Sequence, residues 1–138
     1  MKEQSNEWFR LAKNDLDAAE YLMDMRPQPI EIICYHCEQS AEKYLKGVLD
    51  ENGIEPPRIH DLVKLCQQCS EVDETFNQLV EPCFQLTQFS VQVRYPSDDD
   101  LDDDDLTRAI DGAKMIQEFV FQVMDIEDEE SYGYDLRL

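Results

Sequence analysis

The residues best suited to chemistry lie between Cys34 and Lys46, a stretch that reads C-Y-H-C-E-Q-S-A-E-K-Y-L-K. On an α-helix, with about 100° between successive residues, five of them fall on one side: Tyr35, His36, Gln39, Lys43 and Lys46. Ammonium groups and an imidazole on one surface can contact an anion or a partner's carboxylates. The alternative is a solvated helix face with a Glu42–Lys46 ion pair, worth roughly 0.2–0.5 kcal/mol.

The same helix needs a second, apolar side to pack into a core. Six residues at helical spacing supply that side: Ile30, Cys34, Cys37, Ala41, Leu45 and Val48. Glu38 and Glu42 are expected between the apolar and polar stripes. The helix therefore faces its own core on one side and an unidentified partner on the other.

Two cysteine pairs, Cys34-x-x-Cys37 and Cys66-x-x-Cys69, have the spacing of a four-cysteine zinc site. Both pairs fall inside helical patterns on apolar faces, without the tight glycine turns that zinc ligands usually occupy. A free cysteine there acts as a small hydrophobic residue. We predict core thiols, and neither a metal site nor a cofactor.

Two further motifs follow along the chain. His60-Asp61-Leu62 begins a helical pattern, so it is read as a helix cap rather than a ligand site. Arg94-Tyr95-Pro96 forms a loop whose arginine either pairs with neighbouring acids or contacts an anion beside Lys43. The seven aspartates from Asp98 to Asp105 lack the glycine and terminal glutamate of a calcium loop, and the last of them are expected to cap the final helix.

Composition limits the class of protein. The chain has 138 residues and a net charge of -20, which opposes broad nucleic-acid binding without excluding a local basic cleft. No apolar run approaches the ~20 residues of a membrane span, and the start lacks a signal-peptide pattern. Five cysteines, an odd number, fit reduced thiols. These features predict a cytoplasmic protein without membrane association.

Helical periodicity recurs and strand alternation does not. We predict helices from a cap near Ser5 or Asn6 to about Asp24, from Ile30 to Glu51, from His60 or Asp61 to about residue 70, and from Asp104 to Asp125. A further helical pattern at 76–86 contains Pro82 and could be kinked there. The predicted fold is all-α: an antiparallel up-and-down bundle of four main helices, with room for a fifth short one. Residues 1–126 form the bundle and 127–138 a mobile acidic tail.

The order and spacing of these motifs resemble the HEPN domain (higher eukaryotes and prokaryotes nucleotide-binding). The resemblance rests on Q-S-A-E-K-Y-L-K at 39–46, on H-D-L at 60–62 and on R-Y-P at 94–96, and it extends over roughly residues 5–125. It implies a helical bundle that usually dimerises, often encoded beside a minimal nucleotidyltransferase in toxin–antitoxin-like pairs.

Catalytic members of the family are metal-independent ribonucleases with an Arg-x4-6-His motif. Here the positions after Arg94 that should hold histidine are Asp99, Asp100 and Leu101, and neither His36 nor His60 has an arginine at the required spacing before it. Aspartates beside Arg94 would also repel the scissile phosphate.

We therefore predict a dimeric HEPN-like binding module without catalytic residues. Its expected binding residues for a nucleotide or partner are His36, Gln39, Lys43, Lys46, His60, Arg94 and Tyr95. Phe9, Phe119 and Phe121 are candidates for the dimer face. The alternative is a metal-independent ribonuclease toxin with a non-standard site.

Overall fold

The computed structural model of the chain describes residues 1–89, 96 and 100–127. Within those residues it has five α-helices and no strand, which confirms the all-α prediction. The helices are α1 (Glu3–Leu22), α2 (Ile30–Glu51), α3 (Leu62–Val72), α4 (Val80–Thr87) and α5 (Asp103–Val123), with a 3-10 helix at Glu74–Leu79 between α3 and α4. In the described part of the chain, none of these helices is long and apolar enough to cross a bilayer.

Most predicted boundaries agree with the structure to within one or two residues. The bounds of α2 coincide with those predicted, and Asp61 caps α3 by accepting hydrogen bonds from the amides of Val63 (3.0 Å) and Lys64 (3.2 Å). Asp102 and Asp105 form a reciprocal capping box at the start of α5. The end of the aspartate run therefore caps the last helix, as its sequence indicated.

The structure differs from the prediction at the start of α1 and at Pro82. The cap of α1 is Lys2, and not Ser5 or Asn6 as predicted. Ser5 is buried within α1, and its hydroxyl donates to Asp50 Oδ2 (2.8 Å) near the end of α2. Pro82 does not kink a continuous helix. It lies in the first turn of α4, where proline costs no backbone hydrogen bond, and the chain preceding α4 is the 3-10 helix.

The central element of the fold is α2, which packs against all four other α-helices. Thirteen of its 22 residues are buried. The predicted apolar stripe is confirmed, since Cys34, Cys37, Ala41, Leu45 and Val48 are all buried and Ile30 is partly buried against the core. A helix enclosed on this scale must also bury residues beyond one stripe, and Glu38, Glu42 and Lys46 are buried as well.

Of the three phenylalanines proposed for a dimer face, Phe9 belongs to the core, and Phe119 and Phe121 are partly buried against it. Phe9 is only 7% exposed and stacks on Tyr44, with ring centroids 6.1 Å apart. Phe121 meets the same tyrosine edge-on, while Phe119 packs edge-on against Phe76. The sequence did not assign these side chains to core contacts, because the tyrosine and the 3-10 helix that they pack against are distant in sequence.

The predicted division at residue 126 stays a prediction. Of the expected acidic tail, 127–138, only Glu127 lies within the described residues.

Replacing Gly47 with alanine is expected to destabilise the fold. An added Cβ would lie 2.5 Å from Phe9 Cε1, and this ring is held against Tyr44, so it cannot move away freely. Overpacking of this kind typically costs about 1–3 kcal/mol. The free energy of unfolding from urea titration measures the effect.

Gly112 provides a matched control. A Cβ there would meet Leu86 Cδ1 at 3.5 Å, an ordinary contact, so Gly112→Ala should be neutral or should stabilise by up to about 1 kcal/mol through helix propensity. An equal loss in both variants would show that the Phe9 contact is unimportant.

Candidate functional site

Asp15 joins α1 to the polar side of α2. The carboxylate accepts a hydrogen bond from Lys43 Nζ, and its Oδ1 lies 2.9 Å from His36 Nδ1. His36 and Lys43 are seven residues apart, two helical turns, so one acid on the neighbouring helix can reach both. Their side chains are only 28% and 24% exposed, and that of Asp15 is 14% exposed. Two of the predicted binding residues thus meet at an acid that the sequence analysis had not selected.

A second group of contacts surrounds Glu42. Its Oε2 lies 3.0 Å from Lys46 Nζ and its Oε1 lies 2.8 Å from His60 Nδ1. The ammonium of Lys46 is also 5.9 Å from the centre of the Trp8 ring, within range of a cation–π interaction. His60 therefore does more than precede the capping residue Asp61, because it ties the loop before α3 to α2.

The predicted role of Lys46 as an open binding residue does not fit its position. Only 8% of its side chain is exposed, whereas the side chain of His60 is 66% exposed. The Glu42–Lys46 pair considered from the sequence is present, but as a buried contact and not on a solvated face. A buried charge needs such a partner because removing it from water is costly.

Gln39 forms a hydrogen bond to a third acid, Glu38. Its amide donates to Glu38 Oε2 (2.8 Å), while Glu38 Oε1 has no hydrogen-bond partner. Glu38 is fully buried and lies one turn before Glu42 on the same helix. Burial, together with the negative charge of Glu42, raises the pKa of the Glu38 carboxyl to about 7. A proton on Glu38 removes its repulsion with the negative charge of Glu42.

Arg94 and Tyr95, the remaining predicted binding residues, lie outside the described residues. The other five contact three different acids: His36 and Lys43 contact Asp15, Lys46 and His60 contact Glu42, and Gln39 contacts Glu38. Each of the four basic side chains that the sequence analysis selected within the described ranges carries a carboxylate partner from the same chain. The polar side of α2 is therefore largely neutralised before any ligand arrives.

A sequence signal existed for one of the three acids. Glu42 precedes Lys46 by four residues, the spacing of a helical ion pair. Asp15 could not be found this way because its partners are 21 and 28 residues away. Glu38 could not be distinguished from a surface glutamate until the packing around α2 was known.

The cysteines occupy core positions. All five are free and buried, which agrees with the reading of both Cys-x-x-Cys pairs as parts of helix core faces. Burial raises the pKa of Cys34 to about 12, and burial likewise raises that of Cys69. Since the thiolate is the form that binds metals, these two thiols are poorly disposed to act as ligands.

Glu38→Gln is expected to flatten the pH dependence of stability. The pKa of Glu38 is raised in the folded chain, so the folded state binds the extra proton between pH 4.5 and about pH 7. The stability associated with Glu38 is then fully present below pH 4.5 and is lost as the pH rises towards 7. We expect a loss on the order of 1–3 kcal/mol over this window in the native protein and not in the variant.

Urea unfolding at half-unit steps from pH 4.5 to 8 measures this difference. Glu118→Gln, at an exposed position on α5, changes charge in the same way and should keep the native slope. Parallel curves for the native chain and Glu38→Gln would contradict the buried-proton interpretation.

Comparison with known proteins agrees with this architecture. The HEPN domain description matches residues 5–126 of the chain. A crystal structure of TT1696 from Thermus thermophilus is similar with a TM-score of 0.75 and 22% identity, covering 88% of this chain and 98% of that one. ST0689, an archaeal HEPN homologue, is similar with a TM-score of 0.67 and 25% identity, covering 92% of this chain and all of that one.

No curated protein matches the chain. The domain match nevertheless spans most of its length, and it includes the α2 residues and the His60 loop that make up the site. The order of the helices and the motifs on them lead to the same conclusion: this chain belongs to the HEPN domain family.

Proposed function

We propose that this chain is a non-catalytic HEPN module that forms a homodimer and binds a protein partner. The partner that the family resemblance implies is a minimal nucleotidyltransferase, encoded beside it in a toxin–antitoxin-like pair. The observation that carries the proposal is the internal pairing of Lys43 and His36 with Asp15, and of Lys46 and His60 with Glu42. Basic groups already paired in this way serve to hold α1, α2 and the His60 loop together rather than to receive a phosphate.

The same pairing argues against the nucleotide cleft expected around Lys43, Lys46 and Arg94. A nucleotide phosphate would have to displace Asp15 from Lys43, and it could reach Lys46 only by opening a buried ion pair with Glu42. The missing Arg-x4-6-His motif argues in the same direction for ribonuclease activity. Binding of a protein partner on another surface would leave both the Asp15–Lys43 and the Glu42–Lys46 pairs intact.

The dimer face is best placed where α1 ends and α2 begins. Large apolar side chains are exposed here: Tyr21 at 85%, Met25 at 52% and Ile32 at 53%. Because α1 and α2 pack along each other as a helical hairpin, these residues occupy one end of that pair. Exposed apolar groups gathered at one end of a small domain are typical of an association surface.

Tyr21→Glu and Ile32→Glu should therefore each convert the dimer to a monomer. A charge in the middle of an apolar interface loses its hydration without gaining a partner. The molar mass from size-exclusion chromatography with light scattering measures the change.

Phe84→Glu is the control, because Phe84 is also exposed (67%) but lies on α4. It should leave the dimer intact. Dissociation by Phe84→Glu and not by the other two variants would place the interface on α4.

Co-expression with the product of the neighbouring gene tests the partner. We expect a nucleotidyltransferase that co-elutes with this chain as a complex of defined mass, and no cleavage of bulk RNA by the purified chain. RNA cleavage that disappears in Arg94→Ala or His60→Ala would instead support the ribonuclease alternative. A neighbouring product of another class, or one that does not bind, would contradict the proposed partner.

A further inference from the structure

A groove of about 450 Å³ lies where three helices end, away from the site on the polar side of α2. Val48 and Asn52 come from the end of α2, Val72 from the end of α3, and Val123 from the end of α5. Phe76 of the 3-10 helix also borders the groove, but it is buried in the core. Val72 and Val123 remain 43% and 37% exposed, so the wall of the groove includes apolar surface that the fold does not cover.

The electrostatic character of this groove is negative. The C-terminal end of a helix carries a partial negative charge, and none of α2, α3 and α5 has a basic residue in its last turn. Asp73 and Glu74 add two carboxylates to the lining. Hydrogen bonds from Thr75 lower the pKa of Asp73, which keeps this carboxylate ionised.

Among the described residues, no basic side chain lines the groove to neutralise its carboxylates. Lys2 lies at the same end of α2, but its ammonium is 3.3 Å from Asp50 O and it does not line the groove. The half-exposed side chains of Val72 and Val123, beside the carboxylates of Asp73 and Glu74, match a cation on an aliphatic stem. Because the groove is open, a free amine would make few contacts in it. A side chain carried by a protein is favoured, because contacts around the groove then offset the entropy lost when that side chain is ordered.

We propose that this groove binds a lysine or arginine side chain of a protein partner. The aliphatic stem lies against Val72 and Val123, and the charged end points towards Asp73, Glu74 and the helix ends. This inference goes beyond the proposed function, since it concerns a second surface and does not require the dimer or the nucleotidyltransferase.

The test uses the full chain and a blocked tripeptide, acetyl-Leu-Lys-Leu-amide, followed by NMR chemical shifts. Shifts should be concentrated at Val72, Phe76 and Val123. The counterpart with norleucine in place of lysine keeps the aliphatic stem without the charge. It should bind roughly fivefold more weakly than the lysine peptide. Equal binding of the two peptides, or shifts scattered away from the groove, would overturn the proposal.

Two variants and one further probe sharpen the result. Glu74→Gln should weaken the lysine peptide roughly two- to fivefold, whereas Glu118→Gln, an exposed acid on α5 outside the groove, should leave it unchanged. Equal effects of the two variants would reduce the binding to net charge and overturn the site. Hexylammonium binding as tightly as the lysine peptide would overturn the assignment to a protein side chain.

Discussion

The position of α2 at the centre of the bundle is the constraint on which the rest of the structure depends. A helix in contact with four others has little surface left for water, yet its sequence carries Glu38, Glu42 and Lys46 on the sides that become buried. Charges removed from water must be paired or neutralised. The fold satisfies this requirement by pairing Glu42 with Lys46 and by raising the pKa of Glu38 to about 7.

These buried polar contacts also connect parts of the chain that would otherwise be joined by apolar packing alone. Asp15 links α1 to α2 through His36 and Lys43, and His60 links the loop before α3 to Glu42. Hydrogen-bonded charge pairs demand particular distances and directions, unlike apolar contacts. The network therefore fixes the rotation of α2 relative to its neighbours. The basic residues that looked like a ligand site in the sequence connect helices through these contacts.

Much of the fold could be predicted from local signals. Asn52-Gly53 ends α2, Asp61 begins α3, and the aspartates before Leu106 cap α5, because each of these features acts on backbone groups within a few residues. The start of α1 could not be predicted in this way. Ser5 has the character of a cap, but its hydroxyl is used by Asp50, which is 45 residues away.

The candidate site divides along the same line. From the sequence alone, the spacing of residues on α2 determined its apolar stripe and its Glu42–Lys46 pair, since both depend on the 3.6-residue period of one helix. The family resemblance came from the order of three motifs along the chain, at 39–46, 60–62 and 94–96. Only the tertiary structure decided that Lys46 is buried, that Asp15 serves both His36 and Lys43, and that Phe9 belongs to the core. The physical reason is that periodicity defines the faces of a helix, while the number of neighbours packed around it decides which of those faces remain in water.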